Sequence, residues 1–240
     1  MNIFSIITIR KGSKGLKNKC LRKICNKAMF EFVINYSLEL NYKLNGKVFT
    51  VVSSDSELLE KYCIKNDIPF IKRDPSLVSD LAQIEDVIYD AYSKINLPFD
   101  YISLLYGNVP TRYPQEFLKA YNFLRKNKDY QAVLSVQNVE KYNPSWLFPL
   151  NEEILPIKKN EGYRRQDLKQ FMIHDGHTIL FRSKYFLDFI DKRGLTQKKG
   201  LYDAFGEKIK PMLNERVIID IDTEKDIELA KAFISYKHKK

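Results

Sequence analysis

Cysteine is scarce in this chain of 240 residues: only Cys20, Cys25 and Cys63 occur, and no two form a CxxC pair. They cannot all be paired, which excludes a disulfide framework and fits a reducing, cytoplasmic setting. Long apolar runs are missing as well. The longest, such as "VFTVV" and "YISLLY", fall far below the roughly 20 residues of a membrane span. The opening "MNIFSIITI" has no charged segment before it and no small-residue cleavage site, so no secretory leader is expected. Repeats of solenoid length, low-complexity tracts and Ser/Gly-rich linkers are absent. So are GxxxxGK[ST] and GxGxxG, which excludes a P-loop and a dinucleotide fingerprint.

Charge of one sign is in excess without being segregated. Lys and Arg number 40 against 30 acids, a net +10, which invites a nucleic-acid reading. The acids are interspersed, however, and one-sign blocks occur only in the opening loop and the tail "YKHKK". Small anionic ligands or general solvation account for the balance better, and neither nucleic acid nor membrane is expected as a partner.

Short β-rich runs alternate with helical patterns along the first half. "NIFSIITI", "KVFTVVSS", "IPFIKR", "DYISLLY" and "YQAVLSVQ" read as strands. "AMFEFVINYSLEL", "DSELLEKYCIKN", "AQIEDVIYDAYSKI" and "PQEFLKAYNFLRKN" read as helices, the second capped by Asp55 or Ser56 and the fourth opened by Pro114. Such repetition predicts an α/β, doubly wound, mostly parallel sheet with helices on both faces. From about Gln137 to Gln170 the pattern breaks into a polar excursion holding Pro144, Pro149 and Pro156. "HTILFRSKYFLDFI" resumes as strand then helix, and "ERVIIDIDTEKDIELAKAFISYK" closes as strand, acidic turn and helix. One domain spanning residues 1–240 is expected, with the excursion inserted in it.

In such sheets ligands gather at the carboxyl ends of strands, and two motifs stand there. "IRKGSKGLKNK" follows the first strand directly. Gly12 and Gly15 would let its backbone turn N–H groups toward an anion, with Arg10, Lys14 and Lys19 to neutralise a polyphosphate. By composition alone a solvated basic turn fits equally well; the position after the first strand favours phosphate. Near the other end, "VIIDIDTEKD" places Asp220 and Asp222 two residues apart, on one side of an expected strand end. Two such carboxylates repel unless a cation or proton intervenes, and hard oxygen ligands of this kind suit Mg²⁺ together with substrate phosphates. Thr223 is a plausible N-cap, and Asp226 reads mainly as a helix-terminal charge.

A triphosphate loop and a metal-binding acid pair suggest nucleotidyl transfer, and here the chain resembles a known family. "IITIRKGSKGLKNK" is similar to the (I/L)-x-A-R-x-x-S-K-G-(I/L)-x-x-K-N signature of CMP-sialic acid synthetases and related sugar-acid cytidylyltransferases. "SLVSD", "RRQDL" and "IDIDTEKDIELA" resemble the family's L-A-x-D, P-R-Q-x-L and S-(L/I)-D-I-D-x-x-x-D segments, in the same order and across essentially the whole chain. The resemblance implies a Rossmann-like nucleotidyltransferase fold. It implies that Arg10, Gly12, Ser13, Lys14, Gly15 and Lys19 surround CTP phosphates, that Arg73 and Asp80 line the nucleotide, and that Asp220 and Asp222 ligate Mg²⁺. Arg10, Lys14 and Asp222 would be catalytic. Tyr106, Asn108, Arg112, Arg165, Gln166 and Asp175 would face an acidic sugar, and the excursion would be a dimerisation arm in a homodimer.

Three departures qualify it. Cys20 stands where the family has Asn, "YGNVPTR" replaces Q-P-T-S-P-x-R, and "DGH" replaces N-G-A. The altered sugar pocket points from N-acetylneuraminate toward legionaminic- or pseudaminic-type acids. A sugar-1-phosphate nucleotidyltransferase using another base, and a non-catalytic nucleotide- or nucleic-acid-binding module, are the alternatives. Among other residues, His174 and His177 face opposite sides of a strand, so they cannot share a metal and take surface or pocket-rim places. Trp146 and Phe148 are a sugar platform or a buried interface pair. Cys63 packs, and Cys20 touches the base or fills space.

Overall fold

The computed structural model describes residues 2–12, 16, 18–79, 81–147, 164–193 and 201–237. Strand β1 (Ile3–Thr8) is buried from Ile3 to Ile7, with alternate residues entering different cores. A short antiparallel hairpin, β2 (Lys23–Ile24) and β3 (Lys27–Ala28), follows the basic loop and was not foreseen. Then come α1 (Met29–Lys43), β4 (Val48–Ser54), α2 (Glu57–Lys65), β5 (Phe70–Lys72), α3 (Ile84–Ile95), β6 (Tyr101–Tyr106), α4 (Pro114–Lys126) and β7 (Ala132–Asn138). After the excursion lie β8 (Met172–Arg182), α5 (Ser183–Arg193), β9 (Ile209–Leu213) and α6 (Glu224–Lys237).

Seven strands form one sheet in the order β5-β4-β1-β6-β8-β7-β9. All neighbours run parallel except β8, which is antiparallel to both β6 and β7. The α/β, doubly wound expectation therefore holds. On one face Ile3 and Ile7 pack with Val33, Ile34 and Leu40 of α1 and Phe117 and Tyr121 of α4. On the other, Phe4 and Ile6 pack with Ile88 of α3 and Phe186 of α5. Ser5 is the polar exception in β1, and its hydroxyl is bonded to Ser37, itself bonded to Thr50, so no buried partner is lost.

A third apolar cluster decides where the two ends of the chain meet. Leu16, Ile24 and Met29 near the front pack with Ile219, Ile221, Ile227 and Ile234 near the back. Burial of each such side chain contributes about 2 kcal/mol, so the acidic segment is fastened beside the basic loop.

One expected strand is not a strand. "VIIDID" lies outside the sheet, because the free edge of β7 is taken by β9, with Ala132 opposite Ile209 and Val136 opposite Leu213. Pro211 lies in that strand, and it is tolerated because β9 is at the edge of the sheet. The expected alternation survives all the same: Ile219 and Ile221 are buried while Asp220 and Asp222 are exposed. Ser56, not Asp55, caps α2 through the Leu59 amide. Among the described residues no helix is long and apolar enough to cross a membrane.

Candidate active site

The carboxyl end of β1 is fastened to its neighbours before the basic loop departs. The Ile9 amide donates to the Ser53 carbonyl at 3.1 Å, and the Lys11 amide donates to Asp55 Oδ1 at 2.7 Å. Arg10 is half-buried between these anchors. Arg73 is buried beside it and donates to the Ser53 carbonyl at 2.8 Å and the Ser53 hydroxyl at 3.3 Å. Burial lowers the Arg73 pKa; Asp55 opposes that shift and the Arg10 charge adds to it. Two guanidiniums thus share a corner at the ends of β1 and β5, where an anion would relieve their repulsion. Gly12 is exposed, and a Cβ built on it meets nothing within 4 Å. No steric contact at this position therefore demands glycine, and the expected turn from Gly12 to Gly15 runs through residues outside the described set. Ser13, Lys14, Gly15 and Asp80 lie outside the described residues.

The acid pair is tied to the front of the chain further along the same loop. Lys19 Nζ donates to Asp222 Oδ1 at 2.7 Å, joining positions 203 residues apart, and the lysine side chain is only 16% exposed. Arg22 makes a second clasp, 2.7 Å from Glu224. Asp220 Oδ1 accepts from Asn108 Nδ2, and the rest of the segment is threaded onto the same loop. The Ile221 amide donates to the Asn108 carbonyl at 3.0 Å and the Ile219 amide to Thr111 Oγ1 at 2.7 Å. Desolvation and then the Asp222 charge raise the Asp220 pKa above the usual carboxylate range. Asp226 accepts from the Thr223 hydroxyl and the amides of Asp222 and Thr223 at 2.8–3.0 Å, the capping role expected for this pair.

Beneath the acid pair runs a buried spine. Arg112, 8% exposed, donates to the carbonyls of Tyr106, Val109 and His177 and lies over the Tyr36 ring. Its fork is turned inward, so it braces the loop after β6 instead of facing a sugar carboxylate as expected. Asp175 is similarly engaged, accepting from Ser135, from the His177 amide at 2.9 Å and from Asn214 at 3.0 Å. Gly176, at φ +70, and a register shift between Leu134 and Val136 interrupt the β7–β8 pairing here. They turn His177 inward. It is wholly buried and accepts the Tyr113 amide through Nε2 at 2.7 Å; burial and the Arg112 charge push its pKa down to about 3. A surface or rim place for His177 is thus corrected; it is a neutral core residue.

His174 does reach a rim. It borders a cleft of about 860 Å³ together with Asn138, Asp175, Asn214, Arg216 and Asp220. A cavity of about 610 Å³ lies behind Arg112, between Phe32, Tyr36 and Phe233, and among the expected site residues it contains Arg112 alone. Its lining holds neither Asp220 nor Asp222, whereas Asp220 borders the first cleft, so the first cleft is the candidate site. Tyr106 sits half-buried at the end of β6 as expected, its pKa raised to about 12 chiefly by burial. Gln166 is exposed in a short 3-10 turn, and the side chain of Arg165 lies outside the described set, as does Phe148. Cys20 is buried against the place a Gly107 Cβ would occupy, at 3.2 Å, so it fills space. Asp55, by sequence a candidate helix cap, and Thr111 and Arg216, by sequence ordinary loop residues, belong to the site through their places after strands.

A family model for cytidylyltransferases matches residues 4–233. The chain belongs to the cytidylyltransferase family. Over 229 residues it is 28% identical to an N-acylneuraminate cytidylyltransferase of Streptococcus agalactiae serotype V, covering 94% of this chain and 52% of that protein. This cytidylyltransferase therefore spans about half the length of that relative. It is 28% identical to a pseudaminic acid cytidylyltransferase of Campylobacter jejuni, covering 99% of this chain and 98% of that one. The fold is like that of a CMP:2-keto-3-deoxy-manno-octonic acid synthetase solved with CTP, at TM-score 0.74 and 16% identity over 99% and 100% of the two chains.

Proposed function

We propose that this cytidylyltransferase joins CTP to a nonulosonic, sialic-acid-like 2-keto-3-deoxy sugar acid, giving the CMP-sugar and pyrophosphate in the cytoplasm. The observation that carries the proposal is the Lys19–Asp222 contact at 2.7 Å, which brings the basic front of the chain to the acidic segment whose Asp220 borders the cleft. Both classes of sugar acid named for the relatives, N-acylneuraminate and pseudaminic acid, belong to the proposed substrate class.

The acid pair suits Mg²⁺: a cation, the Lys19 ammonium, already stands on Asp222, and Asp220 carries a raised pKa beside that second carboxylate. Among the described residues no group of three His, Cys, Asp or Glu side chains gathers for a metal, which agrees with two carboxylates completed by phosphate oxygens. Asp220 and Asp222 would hold the ion, which when bound supplies charge neutralisation at the phosphates. The anomeric hydroxyl attacks the α-phosphorus in line as the bond to pyrophosphate breaks, and its proton passes to Asp222 or to hydroxide. Arg10 and Lys14 stabilise the departing pyrophosphate, while Lys19 moves from Asp222 to the phosphates. Positioning and fixed charge provide most of the rate in such transfers. The exposed apolar side chains of Tyr142 and Leu147 in the excursion, and of Met172 and Ile173 just after it, support a homodimer.

Incubation with CTP, Mg²⁺ and a panel of nonulosonic acids, read by pyrophosphate release and product mass, tests the reaction. Consumption of one acid is expected, with Lys14→Ala and Asp222→Asn each losing roughly 10²-fold or more in kcat. Turnover with UTP, GTP or ATP but not CTP, or variants within a few-fold of wild type, would overturn it.

A further inference from the structure

The two carboxylates of the acid pair are held by different means. Asp222 is paired with the Lys19 ammonium, while its own side chain is 70% exposed. Asp220 is bonded to Asn108, whose side chain is half-buried in the loop after β6 and cannot follow a ligand out of the site. The Asn108 amide group donates to Asp220 Oδ1 and, at 3.3 Å, to the Ile221 carbonyl. The Asn108 backbone carbonyl accepts from the Ile221 amide at 3.0 Å. One residue thus grips the acidic segment at Asp220 and at Ile221, and Thr111 grips it on the other side, at Ile219.

The loop that carries Asn108 is itself immobilised. Gly107 has no room for a Cβ, which would stand 2.4 Å from Ile9 Cγ1. Arg112 ties the loop carbonyls of Tyr106 and Val109 to β8 through His177. A carboxylate oxygen that accepts a fixed N–H donor keeps its orientation, and its remaining lone pairs are left for a cation.

We propose that Asn108 is a positioning residue for the metal, orienting Asp220 as a ligand, and not a contact to the sugar as the family resemblance implied. The inference rests on the Mg²⁺ reading of Asp220 and Asp222. Lys19 has no such orienting role: it occupies Asp222 until phosphates draw it away. Asn108 leaves neither partner when the site fills.

The test uses the full chain and Mn²⁺ as probe, followed by electron paramagnetic resonance with and without CTP, alongside thermal melting and sugar-acid KM. Asn108→Ala keeps the backbone carbonyl contact and removes both side-chain bonds. Its Mn²⁺ affinity in the presence of CTP should fall about 10- to 100-fold, the scale of removing an outer-shell partner, with the melting midpoint little changed. Mn²⁺ affinity within about threefold of wild type, with or without a rise in sugar KM, would overturn the positioning role. Should the alanine variant fail to fold, Asn108→Ser keeps a small polar residue in the turn, is too short to span to Asp220, and carries the same expectation. Asp220→Asn separates the two readings. If wild type binds Mn²⁺ no better than Asp220→Asn, the metal reading fails; if it binds better but Asn108→Ala matches it, only the role of Asn108 fails.

Discussion

Two loops leave the carboxyl ends of adjacent parallel strands, β1 and β6, and they have been put to opposite uses. The loop after β1 opens toward solvent: Lys11 and Gly12 are exposed, and a side chain at Gly12 would touch nothing within 4 Å. The loop after β6 is packed from Gly107 to Arg112, with Gly107, Val109, Pro110, Thr111 and Arg112 all buried. Its polar groups are turned to the scaffold, Arg112 to three carbonyls and Thr111 to the Ile219 amide. The sheet topology marks both ends as binding positions. Which loop meets the ligand and which braces the site depends on where the hydrogen bonds go.

That comparison breaks most severely if the brace is removed. Arg112→Met should lose about 3 kcal/mol or more, since several buried carbonyls lose their donor, and the melting midpoint should fall by roughly 10 °C. A midpoint near wild type would mean that the loop does not depend on its arginine. Next is Gly107→Ala, whose Cβ would collide with Ile9; a loss of about 1–3 kcal/mol is expected. The same change in the other loop, Gly12→Ala, should alter stability by no more than about 0.5 kcal/mol. Equal effects in urea melts of the two alanine variants would erase the distinction between the loops.

Acid sharpens the comparison more gently. The folded His177 pKa of about 3 lies below the usual value of 6.5, so between those values the unfolded chain binds the extra proton. Stability from this group is complete above about 6.5 and falls with pH below it, by up to about 1.4 kcal/mol per unit. The groups facing His177 are the Arg112 charge, the ring and amide of Tyr113, the Thr178 hydroxyl and the Tyr36 ring, with Asp175 on its amide. Urea melts at pH 7 and pH 5 should show a smaller drop for His177→Gln than for wild type. Equal drops would remove His177 as the sensitive group.

Much of the sheet was legible because the signals were local. Apolar runs of strand length alternated with three-to-four periodicity, and β1, β4, β5, β6, β7 and the helices between them followed. The small hairpin was missed because strands of two residues carry no period. β9 does not stand out in the sequence, since "IKPML" contains a proline, whereas "VIIDID" reads as the closing strand. In the site, the acid pair and the lysines were visible as motifs. Arg112, Asp175 and Asn108 were visible too, but their direction was not. A guanidinium or carboxylate has the same formula whether it faces a ligand or a row of carbonyls.

Chemical inventory and order along the chain were thus readable from the residues alone: an α/β alternation, cations after the first strand, carboxylates before the last helix. Bringing those ends together was a tertiary matter. It needed Leu16, Ile24 and Met29 to bury against Ile219, Ile221 and Ile227, a contact between segments some 200 residues apart for which no local pattern exists. Side-chain direction was settled there as well, because a buried polar group must find a partner within the fold, and which partners lie within reach is known only once the chain has closed.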